Sequence, residues 1–346
     1  MSPFLDIEQP DALLAYLGEH GHIALDEQPR IRVLAGGVSN RTVWVERPGG
    51  EAWVLKQALA KLRVSVDWFS SPERVHREAL GLRWLAQLAP PGAITPLVFE
   101  DHTHHLLAMQ AVPHPHDNWK SLLLAGRLEE NHVSQFGRLL GAIHRHAFER
   151  RQEVAPVFGD RSFFESLRLE PYYSYTAGQV PAAANFLHTL IEETHACRLT
   201  LVHGDYSPKN VLVHQNRLIL LDHEVIHWGD PAFDLGFSLT HLLSKAHHLP
   251  QQRAAFAEAV NQYWRVYTQT IGDIFLLPSS QGGLGGVEAR AVRHTLACLL
   301  ARVAGRSPLE YLDEAARWHQ QEAVLALLSN LPANIPDLVN QFIAKL

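Results

Sequence analysis

The chain has 346 residues, 47% of them hydrophobic and 19% charged, enough for a sizeable core and for about two domains or lobes at ~150 residues each. Thirty basic residues against 36 acidic ones leave a net charge of −6, which argues against a nucleic-acid coat or a membrane-surface protein. Cys197 and Cys298 are the two cysteines, too few for a disulfide framework and in keeping with a reducing, cytoplasmic compartment. The opening MSPFLDIEQP shows no signal-peptide pattern, and no apolar run reaches the ~18 residues of a membrane span.

Residues 10–20 predict a short amphipathic helix with Leu13, Leu14 and Leu17 on one side. Three strands are expected over 31–58, joined by Gly36-Gly37-Val38-Ser39-Asn40 and then by Arg47-Pro48-Gly49-Gly50. A helix over 72–88 follows, with Ser71 as N-cap, Pro72 at its first position and Val75, Ala79, Leu82 and Leu85 as its apolar stripe. Strands around 95–101 and 104–110 complete an antiparallel N-terminal lobe. Past Pro113-His114-Pro115 the character changes, so the lobes are drawn at 1–113 and 114–346. The second lobe reads as mainly helical: helices over 131–147 and 185–197, two short strands at 211–213 and 218–221, and helices from about 235 onward. The segment 278–286 reads as a loop.

The sharpest chemical signal is His203-Gly204-Asp205-Tyr206-Ser207-Pro208-Lys209-Asn210, with Asp222 twelve residues further on. This is the H-x-D-x-x-x-x-N spacing of a kinase catalytic loop followed by a hairpin that returns an acid. A hydroxyl attacking a γ-phosphate needs a proton acceptor, which suits Asp205. A Mg²⁺ bridging phosphates needs hard oxygen ligands, which suit Asn210 and Asp222. The bland alternative is a buried turn satisfied by its own polar groups.

Upstream, Lys56 shares a strand face with Val54 and is one of six lysines. It is the candidate for holding ATP phosphates, against the alternative of a solvated strand lysine. Glu78 falls on the buried stripe of its helix, where a carboxylate needs a cation; Lys56 is the expected partner and a surface pair with Arg74 the alternative. Gly36, Gly37, Ser39 and Asn40 form a turn able to close over phosphates.

Together these segments resemble the aminoglycoside phosphotransferase and choline kinase-like small-molecule kinases. The matches are GGVSN, WVLK, REALGLRWL, GRLLGAIHRH, LVHGDYSPKNVLV and LLDHEVIHWGDPAFDLG, spanning 34–237. The resemblance implies a protein-kinase-like α+β fold of two lobes, ATP and Mg²⁺ as cofactors, and a nucleotide hinge at Met109–Val112. The backbone of Gln110 and Val112 would then bind adenine. It further implies a structural role for His144 and an orienting role for Asp234 beneath the catalytic loop. Gly204 replaces the arginine of protein kinases, and no A-P-E segment follows. Asp222-His223-Glu224 is the D-x-E form also seen in methylthioribose kinases, and this resemblance makes Glu224 a candidate for a further metal contact, with an ordinary loop ion pair as its alternative.

The expected activity is ATP-dependent phosphorylation of a hydroxyl on a small metabolite of sugar or amino-sugar type. Aminoglycoside or choline-type acceptors are the runners-up, and a catalytically silent nucleotide-binding protein is the rival of another class. From 251 to 346 eight acidic residues balance eight basic ones, which disfavours polycationic acceptors. Arg290, Arg293, Arg302 and Arg306 either line a substrate face or are solvated. Tyr172, Tyr173 and Tyr175 are either an acceptor wall or packing. His102, His104 and His105, or His114 and His116, lack a Cys or carboxylate at a zinc spacing, so no transition-metal site is expected there.

Overall fold

A computed structural model describes residues 5–34, 39–63, 69–274 and 286–346. Gly36 and Gly37, and most of the 278–286 loop, lie outside the described residues. The N-terminal lobe opens with α1 (Pro10–Glu19), β1 (Arg30–Val33), β2 (Asn40–Glu46) and β3 (Ala52–Ala58), followed by α2 (Arg74–Leu88), β4 (Leu97–Asp101) and β5 (Leu106–Gln110). The five strands form one antiparallel sheet in the order β1-β2-β3-β5-β4. Alternation divides its side chains cleanly. Val43, Val45, Trp53, Leu55, Leu106 and Ala108 pack under α1, while Leu107, Met109 and Ala58 face Val75, Ala79 and Leu82 of α2.

The expected elements of this lobe are present, with one shift. α2 begins at Arg74 rather than at Pro72, with Glu73 in the capping position. Ser71 contributes by accepting the Glu73 N–H at 3.3 Å. Glu78 is fully buried beside the Val75–Leu82 stripe.

The second lobe runs β6 (Asp117–Asn118), α3 (Trp119–Leu124), α4 (Glu130–Glu149), α5 (Arg151–Val157) and α6 (Ser162–Phe164). A widened π-helical stretch, Glu165–Ser174, precedes α7 (Tyr175–Gln179) and α8 (Ala184–Ala196). Then come β7 (Thr200–Val202), β8 (Val211–His214), β9 (Arg217–Leu220) and β10 (His227–Gly229). The chain finishes with α9 (Pro231–His248), α10 (Arg253–Ile271), α11 (Val287–Ala304), α12 (Glu314–Leu328) and α13 (Ile335–Ile343). The fold is therefore the two-lobed α+β arrangement expected, an antiparallel-sheet lobe followed by a mainly helical one.

α9 is the axis of the second lobe, buried from Pro231 to His247. Asp230 caps it by accepting the Ala232 N–H at 3.0 Å. Gly236 lets α11 approach, since a Cβ there would lie 2.4 Å from His294 Cβ. Three two- or three-residue strands escaped the sequence reading: β6, β7 and β10. Each is too short to show alternation and exists through its tertiary pairing, β7 with β10 and β6 with β8.

Candidate active site

The loop 203–210 leaves β7 and is fastened from below by Asp234, in the first turn of α9. Its carboxylate accepts the His203 N–H at 2.7 Å and the Gly204 N–H at 2.8 Å. His144, also fully buried, lies between Asp234 at 3.3 Å and the Tyr267 hydroxyl at 3.0 Å. Burial opposes ionisation of Asp234, but His144 and the loop N–H groups outweigh it and hold the carboxyl below its usual range. The orienting role expected for Asp234 and the structural role expected for His144 match this geometry.

Gly204 has φ of +78°, and a Cβ on it would sit 2.9 Å from Val225 Cγ2 and 3.0 Å from the Val225 carbonyl oxygen. No side chain fits there, so the arginine of protein kinases is sterically excluded from this position. The Asp205 N–H donates to His203 Nδ1 at 3.2 Å. That leaves His203 Nε2 to donate to His223 Nδ1 at 3.0 Å. Burial keeps both imidazoles below their usual range.

Asp205 is held through one oxygen. Its Oδ2 accepts from Asn210 Nδ2 at 2.7 Å and pairs with Arg168 Nη2 at 2.8 Å. Oδ1 has no hydrogen bond from the described residues. The same Asn210 amide donates to the Asp205 carbonyl at 3.0 Å, so the donor half of Asn210 is occupied and its Oδ1 remains available. The β8–β9 hairpin pairs Val211 with Leu220, and the Leu221 N–H donates to the Asn210 carbonyl at 2.9 Å. This sets Asp222 beside the end of the catalytic loop.

Asp222, in a left-handed conformation with φ of +68°, places Oδ1 3.0 Å from Lys56 Nζ. Lys56 also meets Glu78 Oε1 at 2.7 Å. One ammonium therefore joins α2, β3 and the hairpin acid, and neither the solvated-lysine nor the Arg74-surface-pair alternative holds. Burial pulls the Lys56 ammonium down, but Asp222 and Glu78 overcome it and raise it above its ordinary range. Asp222 is driven well below the usual carboxylate range, Lys56 outweighing burial. Glu78 goes the other way: burial pushes its carboxyl up to about 7 against the pull of Lys56.

Arg74 is fully buried and has a different partner from the one weighed above. Its Nε donates to Glu224 Oε2 at 3.2 Å, and its Nη atoms reach the carbonyls of Ser70, Ser71, Leu59 and Ser39. Asn40 Nδ2 completes the cluster, 3.4 Å from Glu224 Oε2 and 3.2 Å from Ser39 Oγ. Asn40 Oδ1 is buried without a partner. Glu224 thus sits in an ion pair, with its carboxyl raised by burial and by Asp222.

At the far end of the sheet, the Gln110 N–H donates to Pro96 at 2.9 Å and the Ala111 N–H to Ala52 at 2.8 Å. A cleft there is lined by Trp44, Ala52, Gln110, Ala111 and Val112, among others. Register puts Thr42 opposite Lys56, Trp44 opposite Val54 and Glu46 opposite Ala52. Trp44 and Ala52 therefore share the Lys56 face, and the cleft lies on the same side of the sheet as the lysine.

Sequence reasoning missed Arg168, Trp44 and the anchoring role of Arg74. Arg168 lies in the π-helical stretch, 37 positions before Asp205, where no spacing rule marks it. The four C-terminal arginines are already engaged: Arg290 with Asp230, Arg293 with Glu193, Arg302 with the Tyr172 hydroxyl and Arg306 with Glu170. Tyr173 is core, its hydroxyl 2.7 Å from His294 Nδ1. Tyr172 is also buried and lies under the Arg168 guanidinium, 6.0 Å from the ring centroid.

The model of the phosphotransferase enzyme family (APH) matches residues 30–270, well over half of the chain. Among curated proteins, a methylthioribose kinase of Pectobacterium carotovorum subsp. carotovorum (strain PC1) is 26% identical over 254 residues. That alignment covers 64% of this chain and 63% of the relative, so the chain spans somewhat less than two thirds of that protein's length. Among solved structures, the apoenzyme of macrolide 2'-phosphotransferase MphH from Brachybacterium faecium superposes with a TM-score of 0.53 at 18% identity, covering 94% of this chain and 99% of that one. An amicoumacin kinase, hAmiN, in complex with AMP-PNP, Ca²⁺ and Ami, gives 0.57 at 14% identity over 88% and 89% of the two chains. With the fold of these enzymes and a family match running from β1 through α10, the chain belongs to the phosphotransferase enzyme family.

Proposed function

We propose that this protein is an ATP- and Mg²⁺-dependent kinase that phosphorylates a hydroxyl of a small metabolite of sugar or amino-sugar type. The observation that carries the reading is the division of labour on Asp205: Oδ2 is fixed by Asn210 and Arg168, while Oδ1 is left to receive a proton. Residues 1–113 act as the nucleotide-binding lobe and 114–346 as the catalytic and acceptor-binding lobe.

The donor set fits a hard dication. Asn210 has spent its N–H donors and keeps its amide oxygen, and Asp222 is ionised with Oδ2 unbonded by the described residues. Asn210 and Asp222 would hold Mg²⁺, with Glu224 as a further ligand through the oxygen that Arg74 does not take. The ion, when bound, neutralises charge on the β- and γ-phosphates. Lys56, steadied by Glu78, positions the α- and β-phosphates, with Ser39 and Asn40 beside Glu224 in the same cluster. Trp44, Ala52 and the backbone of Gln110 and Val112 receive the base. Asp205 Oδ1 orients the attacking hydroxyl and takes its proton, while Asp234 keeps the loop rigid beneath it.

The acceptor class follows from charge and from the relatives. Three of the arginines after residue 287, Arg290, Arg293 and Arg306, are paired with carboxylates of this chain, which speaks against their forming a basic face for a polyanion, and the even charge balance after residue 251 speaks against a polycation. A methylthioribose-like sugar, the acceptor in the name of the curated relative, fits this balance better than a polycation. The two cysteines are free thiols, which supports a reducing, cytoplasmic setting, and the net charge of −6 supports a partner other than nucleic acid; among the described residues no helix is long and apolar enough to cross a membrane.

A phosphoryl-transfer panel tests the reading: methylthioribose, neutral sugars, amino sugars, choline and aminoglycosides, each with MgATP and with Asp205→Asn as control. Transfer to a hydroxylated sugar that disappears in the variant supports it. Highest kcat/KM on an aminoglycoside or on choline would replace the acceptor class. Tight ATP binding with no acceptor turned over would favour the silent nucleotide-binding protein.

A further inference from the structure

His76 lies in the first turn of α2, and folding carries it to the β4–β5 turn, where His105 takes a left-handed conformation with φ of +47°. His76 Nε2 is 3.3 Å from His105 Nδ1, and His105 Nδ1 is 3.5 Å from Glu73 Oε1. One donor atom from each of Glu73, His76 and His105 lies within 4.8 Å of the other two. On the far side of the His76 ring, Nδ1 is 3.9 Å from Glu100 Oε2. Both of those atoms are buried without a hydrogen-bond partner. Glu100 is itself fixed through Oε1, by Arg83 at 3.0 Å and His102 at 3.1 Å. The His102 ring stacks on His76 at 3.8 Å.

We propose that Glu73, His76 and His105 form a binding site for a divalent transition cation of the Zn²⁺ type, separate from the catalytic cleft, with Glu100 as the carboxylate behind His76. Two ligands at about 2.0–2.1 Å from a tetrahedral ion stand roughly 3.3–3.4 Å apart, which is the His76–His105 nitrogen separation. A cation on His76 Nε2 places the ring proton on Nδ1, facing Glu100 Oε2. It therefore gives both orphaned atoms a partner once the carboxylate closes the remaining gap, the usual arrangement behind a zinc-bound histidine. A His76–His105 hydrogen bond with His105 Nδ1 as donor gives His76 the same tautomer, so what points to a cation is the third donor, the Glu73 carboxylate 3.5 Å from His105 Nδ1. Glu73 is exposed, so a water completes the coordination.

The site joins the start of α2 to the β4–β5 turn. His76 is two residues before Glu78, the partner of Lys56, so a bound ion would steady the helix that positions the phosphate-binding lysine. The expectation that His102, His104 and His105 bind no transition metal rested on spacing within one segment. The missing ligands come from the start of α2 and its capping residue, His76 lying 29 positions before His105.

Chelator-treated full-length protein is titrated with Zn²⁺ against a chromophoric competitor, with excess Mg²⁺ present to mask the oxygen-lined catalytic cleft. The expected result is one Zn²⁺ per chain, bound at roughly micromolar affinity or tighter, with a rise in Tm. Co²⁺ in its place should give the absorbance of a tetrahedral N/O site. His105→Ala, at a partly exposed turn, should abolish both binding and the Tm rise. Glu100→Gln should weaken binding by about 10–100-fold at unchanged stoichiometry. A His114→Ala/His116→Ala variant should bind as the parent does. Absence of a stoichiometric site, or binding that persists in folded His105→Ala, overturns the proposal and leaves the kinase reading intact.

Discussion

Arg168 Nη2 sits 2.8 Å from Asp205 Oδ2, while Arg168 Nε donates to the Gly204 carbonyl at 2.9 Å. The guanidinium therefore grips the catalytic loop at two successive residues. With Asn210 on the same carboxylate oxygen, it sets the rotation that leaves Oδ1 without a hydrogen bond from the described residues, the oxygen assigned to the acceptor in the proposed reaction. Arg168→Gln should lower kcat by roughly 10–100-fold with little change in the KM for ATP, a loss below the 10²–10⁴-fold expected for Asp205→Asn. Steady-state kinetics with the panel's best acceptor decides this. A change confined to the KM for ATP would move Arg168 out of the acceptor side of the site.

Asp222→Ala removes the anionic member of the proposed Mg²⁺ donor set and leaves neutral Asn210. Mg²⁺-dependent enhancement of ATP binding should disappear, while weak metal-independent binding at the Trp44–Val112 cleft persists. Calorimetry of ATP binding with and without Mg²⁺ measures it. Full Mg²⁺ enhancement in the variant would transfer the metal role to Glu224.

Glu78 yields a pH signature with opposite signs for activity and stability. Its carboxyl is raised from 4.5 to about 7, so Lys56 loses an anionic partner as pH falls through 7, and kcat/KM for ATP should fall on that limb. Between 4.5 and 7 the folded state binds this proton more readily than the unfolded chain. The Glu78 contribution to stability is therefore present at the acidic end and lost as pH rises through 7. Glu78→Gln should remove both slopes. Parallel pH profiles of Tm and kcat/KM for the two proteins check it; identical slopes in wild type and variant would sink the assignment.

Gly204→Ala forces a side chain into a left-handed residue against Val225. The cost should be on the order of 1–3 kcal/mol, seen as a lowered Tm. Because the same movement displaces Asp205, kcat should fall more than the Tm loss alone explains. Wild-type turnover in a folded variant would show that the loop tolerates an L-residue there.

The sequence by itself determined the class of fold and marked the candidate reacting groups. The H-x-D-x-x-x-x-N spacing, the Asn210–Asp222 interval and the place of Glu78 on an apolar stripe are local regularities, legible because a loop, a hairpin and a helix each convert spacing directly into geometry. Tertiary structure decided what those groups touch. The Lys56–Glu78 pair was expected from the sequence, whereas folding added Asp222 to it and gave Arg74 to Glu224. Arg168 and the His76–His105 pair had no signal at all, because their partners lie 29 to 37 positions away in other elements. Such distances along the chain are fixed only when packed layers close, and burial then turns a nearby charge from a screened surface contact into a group that must find a partner.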